Sequence, residues 1–356
     1  MTYTVKVSDT FNFQSKAYLD LFEETDCSAF CSPLWLSNFY EKLAAPPGAE
    51  PVIVQIYDKD DLLAVLPLIR RRHLFFNMIE FADLGLSDYC DFPASTRLDV
   101  SVELTKSVLR AISPYDFVSL RKIKRPDIGK FNILGPHTIT QSPFHSYAST
   151  LARPFSEWRK QSCSESFQYF LDRKLRLLQR HGDVKLTAVT KRVEIEAAFD
   201  SMKAFRATRF DTMGIADPLQ KPDALSFYKS IGVQGAAEGS AITYALSLGD
   251  RLIAVIFGLI HQRTFSFLLM GFDFESYRNY SIGLLTIERT ISARVNEDDV
   301  CFDFMIGEQP YKKDFGSTAT EIFSIWKGNG AMRDLAIRTI AGSRSLQRIA
   351  KLLVRN

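Results

Sequence analysis

The sequence predicts an α/β fold in which one layout is used twice, each copy a mixed, mostly antiparallel sheet flanked by helices. Three observations carry that expectation. Short apolar or alternating runs of strand type are interleaved with longer segments whose apolar residues recur three or four apart, the helical spacing. The order strand, helix, helix, three strands, helix, strand occurs in both halves, without evident residue identity between them. At 356 residues the chain exceeds one ordinary hydrophobic core, and 46% hydrophobic residues can fill two.

In the first half, "YTVKV" reads as a strand and "SKAYLDLFEE" as a helix. "SPLWLSNFYEKLA" is a second helix, because Ser32 suits the N-cap and Pro33 the first turn, where an N–H has no helical partner to lose. "PVIVQIY", "LLAVLPLIR" and "FFNMIEFA" follow as strands, then a helix around 102–112 and the strand "DFVSL". "SESFQYFLDRKLRLLQRHG" is a long connecting helix, apolar along Phe167, Phe170, Leu171, Leu175 and Leu178. Its Arg173, Lys174, Arg176 and Arg180 form either a solvated face or a site for an anionic ligand.

The second half opens with the strand "DVKLTAV" and the helix "RVEIEAAFDSMKAFRATRF"; a further helix, "DALSFYKSIGVQGA", is entered through Pro222 and Asp223. A meander of "AITYALSL", "RLIAVIFGLI" and "TFSFLLMGF" turns at Gly249-Asp250 and at His261 to Arg263. A helix from about Ser281 places Leu284, Ile287, Ile291 and Val295 on one face, and "VCFDFMI" and "TEIFSIW" are strands. These elements divide the chain into an N-terminal domain at 1–155, a connecting helix at 156–182, a C-terminal domain at 183–330 and a basic amphipathic helix at 331–356. That last helix, apolar at Leu346, Ile349, Leu352 and Leu353, either covers the sheet or lies on an anionic membrane.

Forty-four basic against forty-one acidic residues give +3, too little for a broad nucleic-acid footprint, so any anion site is local. The five cysteines are scattered and stand at no zinc-ligand spacing, which predicts reduced thiols in a cytoplasmic protein and no metal. No basic stretch followed by an apolar run opens the sequence, so no signal peptide is expected. The longest apolar region, 252–274, is cut by His261, Gln262 and Arg263 and is two strands, not a membrane span. No nucleophile elbow or Walker loop occurs.

Two stretches carry chemistry. "ESYRNYSIGLL" (275–285) joins the third meander strand to a helix, and a helix start offers unpaired N–H groups and a positive dipole end to a phosphate. Simple helix capping by Ser281 explains the same residues. "FDFMIGEQPYKKDFGS" (302–317) ends a buried strand at a glycine and then gathers Glu308, Tyr311, Lys312, Lys313 and Asp314. A fixed cation beside a tetrahedral oxyanion lowers the barrier to acyl transfer, a role that suits Lys312, as does gripping an acceptor phosphate. Asp303 faces away from Phe302 and Phe304 and fits a general base, a partner that orients Lys312, or an ordinary carboxylate of the sheet. Glu308 is the other candidate base or hydroxyl-binding group. Arg206 and Arg209, three apart on a helix, fit an anionic acceptor or ion pairs with nearby carboxylates.

"RNYSIG" resembles the pyrophosphate loop of GNAT acyltransferases, Arg/Gln-x-x-Gly-x-Gly/Ala, at Arg278 and Gly283, with Ser281 at the first glycine position. "FDFMIGEQPYKKDFGS" is similar to a segment of CelD-like acetyltransferases of polysaccharide biosynthesis, and "YKKDFG" resembles the Lys-x-x-Phe-Gly of FemAB-type aminoacyltransferases, with Lys312 as the matching lysine. In the CelD-like helix an Arg precedes a Trp, where this chain has Phe210. The likeness covers about 165–327 closely and the first half in layout only.

The resemblance implies tandem GNAT-like domains and acetyl-CoA or another acyl-CoA as co-substrate, held by Arg278, Asn279, Tyr280, Ser281, Ile282 and Gly283. It implies transfer to an amine or hydroxyl of a lipid- or nucleotide-linked sugar, with Lys312, Asp303 and Glu308 catalytic and Arg206, Arg209, Phe210 and Tyr311 binding the acceptor. The setting is the cytoplasm, including the inner face of the membrane. Alternatives are an aminoacyl-tRNA-dependent transferase and a non-catalytic accessory protein of polysaccharide synthesis.

Overall fold

The computed structural model describes residues 3–45, 48–214 and 216–342. It divides into two compact units: the first takes the chain up to Pro143 and again from Glu321, the second takes Phe144–Thr320.

The first unit begins with β1 (Thr4–Ser8), α1 (Lys16–Glu24) and α2 (Pro33–Lys42). Ser15 and Ser32 cap the two helices, their hydroxyls accepting the N–H of Tyr18 and Trp35. Then come β2 (Glu50–Asp58), β3 (Asp61–His73), β4 (Phe76–Phe81), α3 (Val102–Ala111) and β5 (Phe117–Lys124). A turn-rich stretch at Arg125–Leu134 leads to β6 (Thr138–Thr150), which crosses into the second unit.

The second unit continues with α4 (Phe155–Ser162), α5 (Glu165–Gln179), β7 (Val184–Val189), α6 (Arg192–Met213), α7 (Pro222–Glu238), β8 (Ala241–Leu248), β9 (Arg251–His261) and β10 (Thr264–Phe272). After them stand α8 (Phe274–Tyr277), α9 (Ile282–Asn296), β11 (Cys301–Ile306), the single turn α10 (Tyr311–Asp314) and β12 (Thr318–Gly328), which returns the chain to the first unit, followed there by α11 (Ala331–Gly342).

Each unit has the same strand plan. The first runs β1-β2-β3-β4-β5-β12, antiparallel but for a parallel contact of β4 with β5. The second runs β7-β8-β9-β10-β11-β6, antiparallel but for a parallel contact of β10 with β11. The fold is therefore α/β with a duplicated layout. Each core is separate: Val54, Leu66, Ile79, Leu120 and Phe131 belong to the first, and Leu246, Ile256, Leu285, Phe302 and Phe315 to the second.

Three details differ from the sequence reading. The division at 1–155, 156–182 and 183–330 does not hold, because the last strand of each half is exchanged: β12 pairs with β5 and β6 with β11. β6 itself lies outside the sequence expectation, since "TITQSPFHSYAST" is polar and contains Pro143, features that argue against a strand. The connecting helix is two, broken at Cys163 where Ser164 caps α5 through the N–H of Phe167. Of the expected helix at 331–356, α11 covers the start; residues 343–356, with Leu346, Ile349, Leu352 and Leu353, lie outside the described residues.

Candidate functional site

The parallel contact of β10 with β11 is short. It holds from Thr264 with Cys301 to Ser266 with Asp303, and beyond that both strands continue without pairing to each other. The cause is local in both. β10 shifts register against β9 between Phe267 and Leu269, and β11 shifts against β6 between Asp303 and Ile306. Bulges of this kind bend a strand out of the ladder. The result is a splay in which the facing edges carry backbone N–H and C=O groups without a strand partner, a ready surface for an extended, amide-bearing ligand.

Beside β10 stands the N-terminus of α9. Leu284 and Leu285 N–H both reach Ser281 O, at 3.0 and 3.1 Å, so the N–H groups of Ile282 and Gly283 precede the first intrahelical bonds. An ideal Cβ at Gly283 would stand 3.0 Å from Phe272 Cε1 and 3.3 Å from Met270 Cε. Glycine here lets the helix start lie close against β10. Ser281 departs from the expected cap: its φ is +54° and ψ +43°, and its side chain makes no capping hydrogen bond. That left-handed conformation is the one glycine adopts most easily, so the serine stands at a backbone position suited to glycine.

The loop before α9 is anchored to α5 and to the turn that follows it. Lys174 donates to Asn279 O, and Tyr280 Oη lies 2.9 Å from His181 Nε2. Arg278 is exposed, its guanidinium 5.2 Å from the Phe274 ring. The basic face of α5 thus belongs in part to this loop. A helix N-terminus, an exposed arginine and nearby lysine and histidine form a donor set that fits a pyrophosphate.

On the other strand, the expected catalytic residues are placed differently from the sequence reading. Met305 sits in the bulge at φ +61°. Asp303 Oδ1 accepts its N–H at 2.8 Å and Lys312 Nζ donates to its carbonyl at 3.0 Å, so the two candidates hold the peptide groups on either side of one residue. Lys312 is only 1% exposed and its ammonium lies 5.5 Å over the Tyr147 ring. Neither is a solvent-facing cation or base; together they shape the strand end. Glu308 clamps β6, accepting from Tyr147 Oη at 2.7 Å, His145 Nδ1 at 2.9 Å and His145 N–H at 2.7 Å. These bonds, Tyr147 first, hold its carboxyl at about 2, which keeps it charged and makes it a weak base at neutral pH. Further along, Phe315 is fully buried and Gly316, at φ +67°, passes so close to Ser162 that a Cβ would meet its carbonyl at 2.7 Å.

The third side comes from the end of α6. Arg206 forms a fork with Asp217, at 3.0 and 2.7 Å, and donates to Met270 O at 3.1 Å, so its donors are committed within the protein. Its guanidinium also lies 4.5 Å over Phe210. Arg209 is exposed and 5.1 Å over Phe272, and among the described residues no carboxylate lies within ion-pair distance. Burial pushes the Tyr311 phenol up to about 12 against the opposing charge of Arg209, so the phenol remains protonated at neutral pH.

The structure therefore gathers Arg278–Gly283 at one end of β10, Arg209 and Tyr311 at the α6 side, and Asp303, Glu308 and Lys312 on the β11 side. His145, Tyr147, Lys174, His181 and Phe272 join them. The basic face of α5 was a sequence signal for Lys174; nothing local marked His145 or Tyr147, which meet Glu308 from far along the chain. Among the described residues no cluster of metal-ligating side chains occurs and no helix is long and apolar enough to cross a membrane.

Comparison with known proteins agrees with this architecture. Residues 165–313 match the model of the acetyltransferase (GNAT) domain family, a segment shorter than half the chain. A search of curated protein sequences finds no match. Among solved structures the chain is similar to FemX (TM-score 0.59, 8% identity, covering 91% of this chain and 97% of that one). It is similar to L-PGS from Bacillus licheniformis (TM-score 0.57, 10% identity, 96% and 97%). It also resembles a tandem GNAT protein from the clavulanic acid biosynthesis pathway (TM-score 0.50, 8% identity, 93% and 99%). The chain thus has a tandem GNAT-type acyltransferase fold.

Proposed function

We propose that this protein is an acyl-CoA-dependent N-acyltransferase whose second unit holds the carrier and whose acceptor is an amine on a sugar-containing precursor of envelope or exopolysaccharide synthesis. The observation that carries the reading is the splay of β10 from β11 beyond Ser266 and Asp303, beside the N-terminus of α9. Ile282 and Gly283 N–H, with Arg278, would hold the pyrophosphate, and the free strand edge would run along the amide-bearing arm. When bound, the carrier supplies a thioester carbonyl activated for attack. Backbone N–H groups on the splayed edge are fixed donors for the oxyanion formed during that attack.

The remaining residues divide the other tasks. Glu308 keeps its charge across the physiological range, with its side chain 41% exposed, and so attracts an acceptor ammonium, which gives up its proton to solvent before the neutral amine attacks. Tyr311, protonated, donates a hydrogen bond. Arg209 recognises an acidic group on the acceptor, and Asp303 and Lys312 act as positioning residues through Met305. The sugar-containing acceptor is supported by sequence resemblance alone.

Calorimetric titration with acetyl-CoA and, separately, free CoA tests the reading, in the natural protein and in Ser281→Gly. Saturable binding supports it; no binding of either compound by either protein overturns it. An aminoacyl-tRNA-dependent transferase is the second reading, favoured by the whole-chain likeness to FemX and by "YKKDFG". Retention of aminoacyl-tRNA in a gel shift, without CoA binding, would select it.

A further inference from the structure

The β3–β4 hairpin carries a feature that acyl transfer does not use. Its turn is Leu74-Phe75, closed by the pair of His73 with Phe76. Two-residue hairpin turns that need φ > 0 at the first central residue are ordinarily built with glycine, asparagine or aspartate. Here Leu74 holds φ +56°, so an aliphatic side chain is kept where it strains the backbone. Nor is the side chain compensated by burial. Phe75 is 85% exposed, Leu74 61% and Phe76 45%, at the convex end of a hairpin. The strand that enters the tip supplies Arg70, Arg71 and Arg72, and residues 70–77 contain no carboxylate. Arg70 and Arg71 are balanced by Glu50 and Glu80, while Arg72 is exposed beside the tip.

A second element of the same unit converges there. Asp116 Oδ2 accepts the N–H of Asn77, in the hairpin, at 2.9 Å, and its Oδ1 lies 2.7 Å from Arg333 at the start of α11. One carboxylate therefore ties the hairpin to this helix. Met332 and Leu335 of α11, three apart and so on one face, are 87% and 65% exposed, whereas Ile337 is buried against the unit. The helix thus turns apolar side chains outward.

We propose that this end of the first unit, the Leu74-Phe75-Phe76 tip with the Met332 and Leu335 face of α11, docks on an anionic lipid surface. The shape and charge favour a bilayer. Protruding rings and aliphatic groups need a complementary cavity in a folded partner, but a lipid interface accepts them without one. Arginine beside them places its guanidinium at the level of the lipid phosphates while its stem stays among the acyl chains.

The test is co-sedimentation of the full chain with vesicles of phosphatidylcholine alone and of phosphatidylcholine with phosphatidylglycerol. The natural protein sediments with the anionic vesicles, less so at raised salt. Leu74→Ser with Phe75→Ser binds them about tenfold or more weakly, as burial of two large apolar side chains requires. Its melting temperature is that of the natural protein, because both groups are exposed. If that pair misfolds, Phe75→Ser and Met332→Ser, each made alone, carry the same test. Absence of binding to anionic vesicles, or equal binding by the variants, overturns the proposal. A concentration-dependent dimer that the variants abolish, without vesicle binding, assigns the surface to a second copy instead and also overturns it.

Discussion

The two units solve the same structural problem in different ways. In the first, β4 and β5 pair in parallel only at Met78 with Phe117 and Ile79 with Val118; in the second, β10 and β11 pair only as far as Ser266 with Asp303. In each, the second strand has a register shift and one left-handed residue other than glycine, Lys122 at φ +64° in β5 and Met305 at φ +61° in β11. What meets the splay differs. In the first unit Lys122 turns its ammonium to Asp83, 3.0 Å away, and Cys90 N–H bonds to Lys122 O at 3.1 Å, so the chain after β4 satisfies the exposed strand itself. In the second, Asp303 and Lys312 hold Met305, and the stretch 273–281, with the single turn α8, leads from β10 into α9. Unpaired backbone has to be satisfied somewhere. One unit uses its own chain; in the other, the proposed carrier would take that place.

Of the two largest expected effects, one breaks the first arrangement. Lys122→Ala leaves Asp83 half-buried with Ser87 but no cation, and should destabilise the protein by about 2 kcal/mol in denaturant titration, with CoA affinity of the folded fraction unchanged. A parallel loss of CoA affinity would mean that the two splays are not independent in role. Next, Lys312→Ala removes a charged donor from the buried Met305 carbonyl and should cost about 2 kcal/mol while lowering acyl transfer. Unchanged stability with lost transfer would return Lys312 to a direct catalytic role.

Smaller effects sharpen the contrast. Ser281→Gly removes a side chain from a left-handed position and should raise stability by about 1 kcal/mol while tightening CoA binding; a lower melting temperature would show that the serine makes a contact worth more than the strain. Glu308→Gln should alter only the acid limb. Because the folded carboxyl titrates at about 2 against an ordinary 4.5, its contribution is fully present above pH 4.5 and is lost as pH falls towards 2. The variant's stability should therefore change less with pH across that window, and identical slopes would mean that the His145 and Tyr147 bonds do not hold in solution.

Much of the fold was legible because it rests on local patterns. Ser32-Pro33, Pro222-Asp223 and the alternation of "AITYALSL" each constrain a few neighbouring residues, and α2, α7 and β8 form where they point. The site was less so. "RNYSIG" marked a helix start correctly, yet it gave no sign of the left-handed backbone at Ser281 or of the close approach of Gly283 to Met270 and Phe272. The sequence leaves Asp303 open between base, partner of Lys312 and sheet carboxylate, and Lys312 between oxyanion and phosphate roles, because the partner they share, the backbone of Met305, has no sequence signature.

Amino-acid order alone dictated most of the strands and helices and how often the layout recurs, since propensity, capping and periodicity act within a few residues. Tertiary structure alone decided that the halves exchange their last strands, that β6 exists at all, and that Glu308 and Lys312 serve as clamps. Each depends on contacts between residues far apart along the chain, whose hydrogen bonds and burial no short window can reveal.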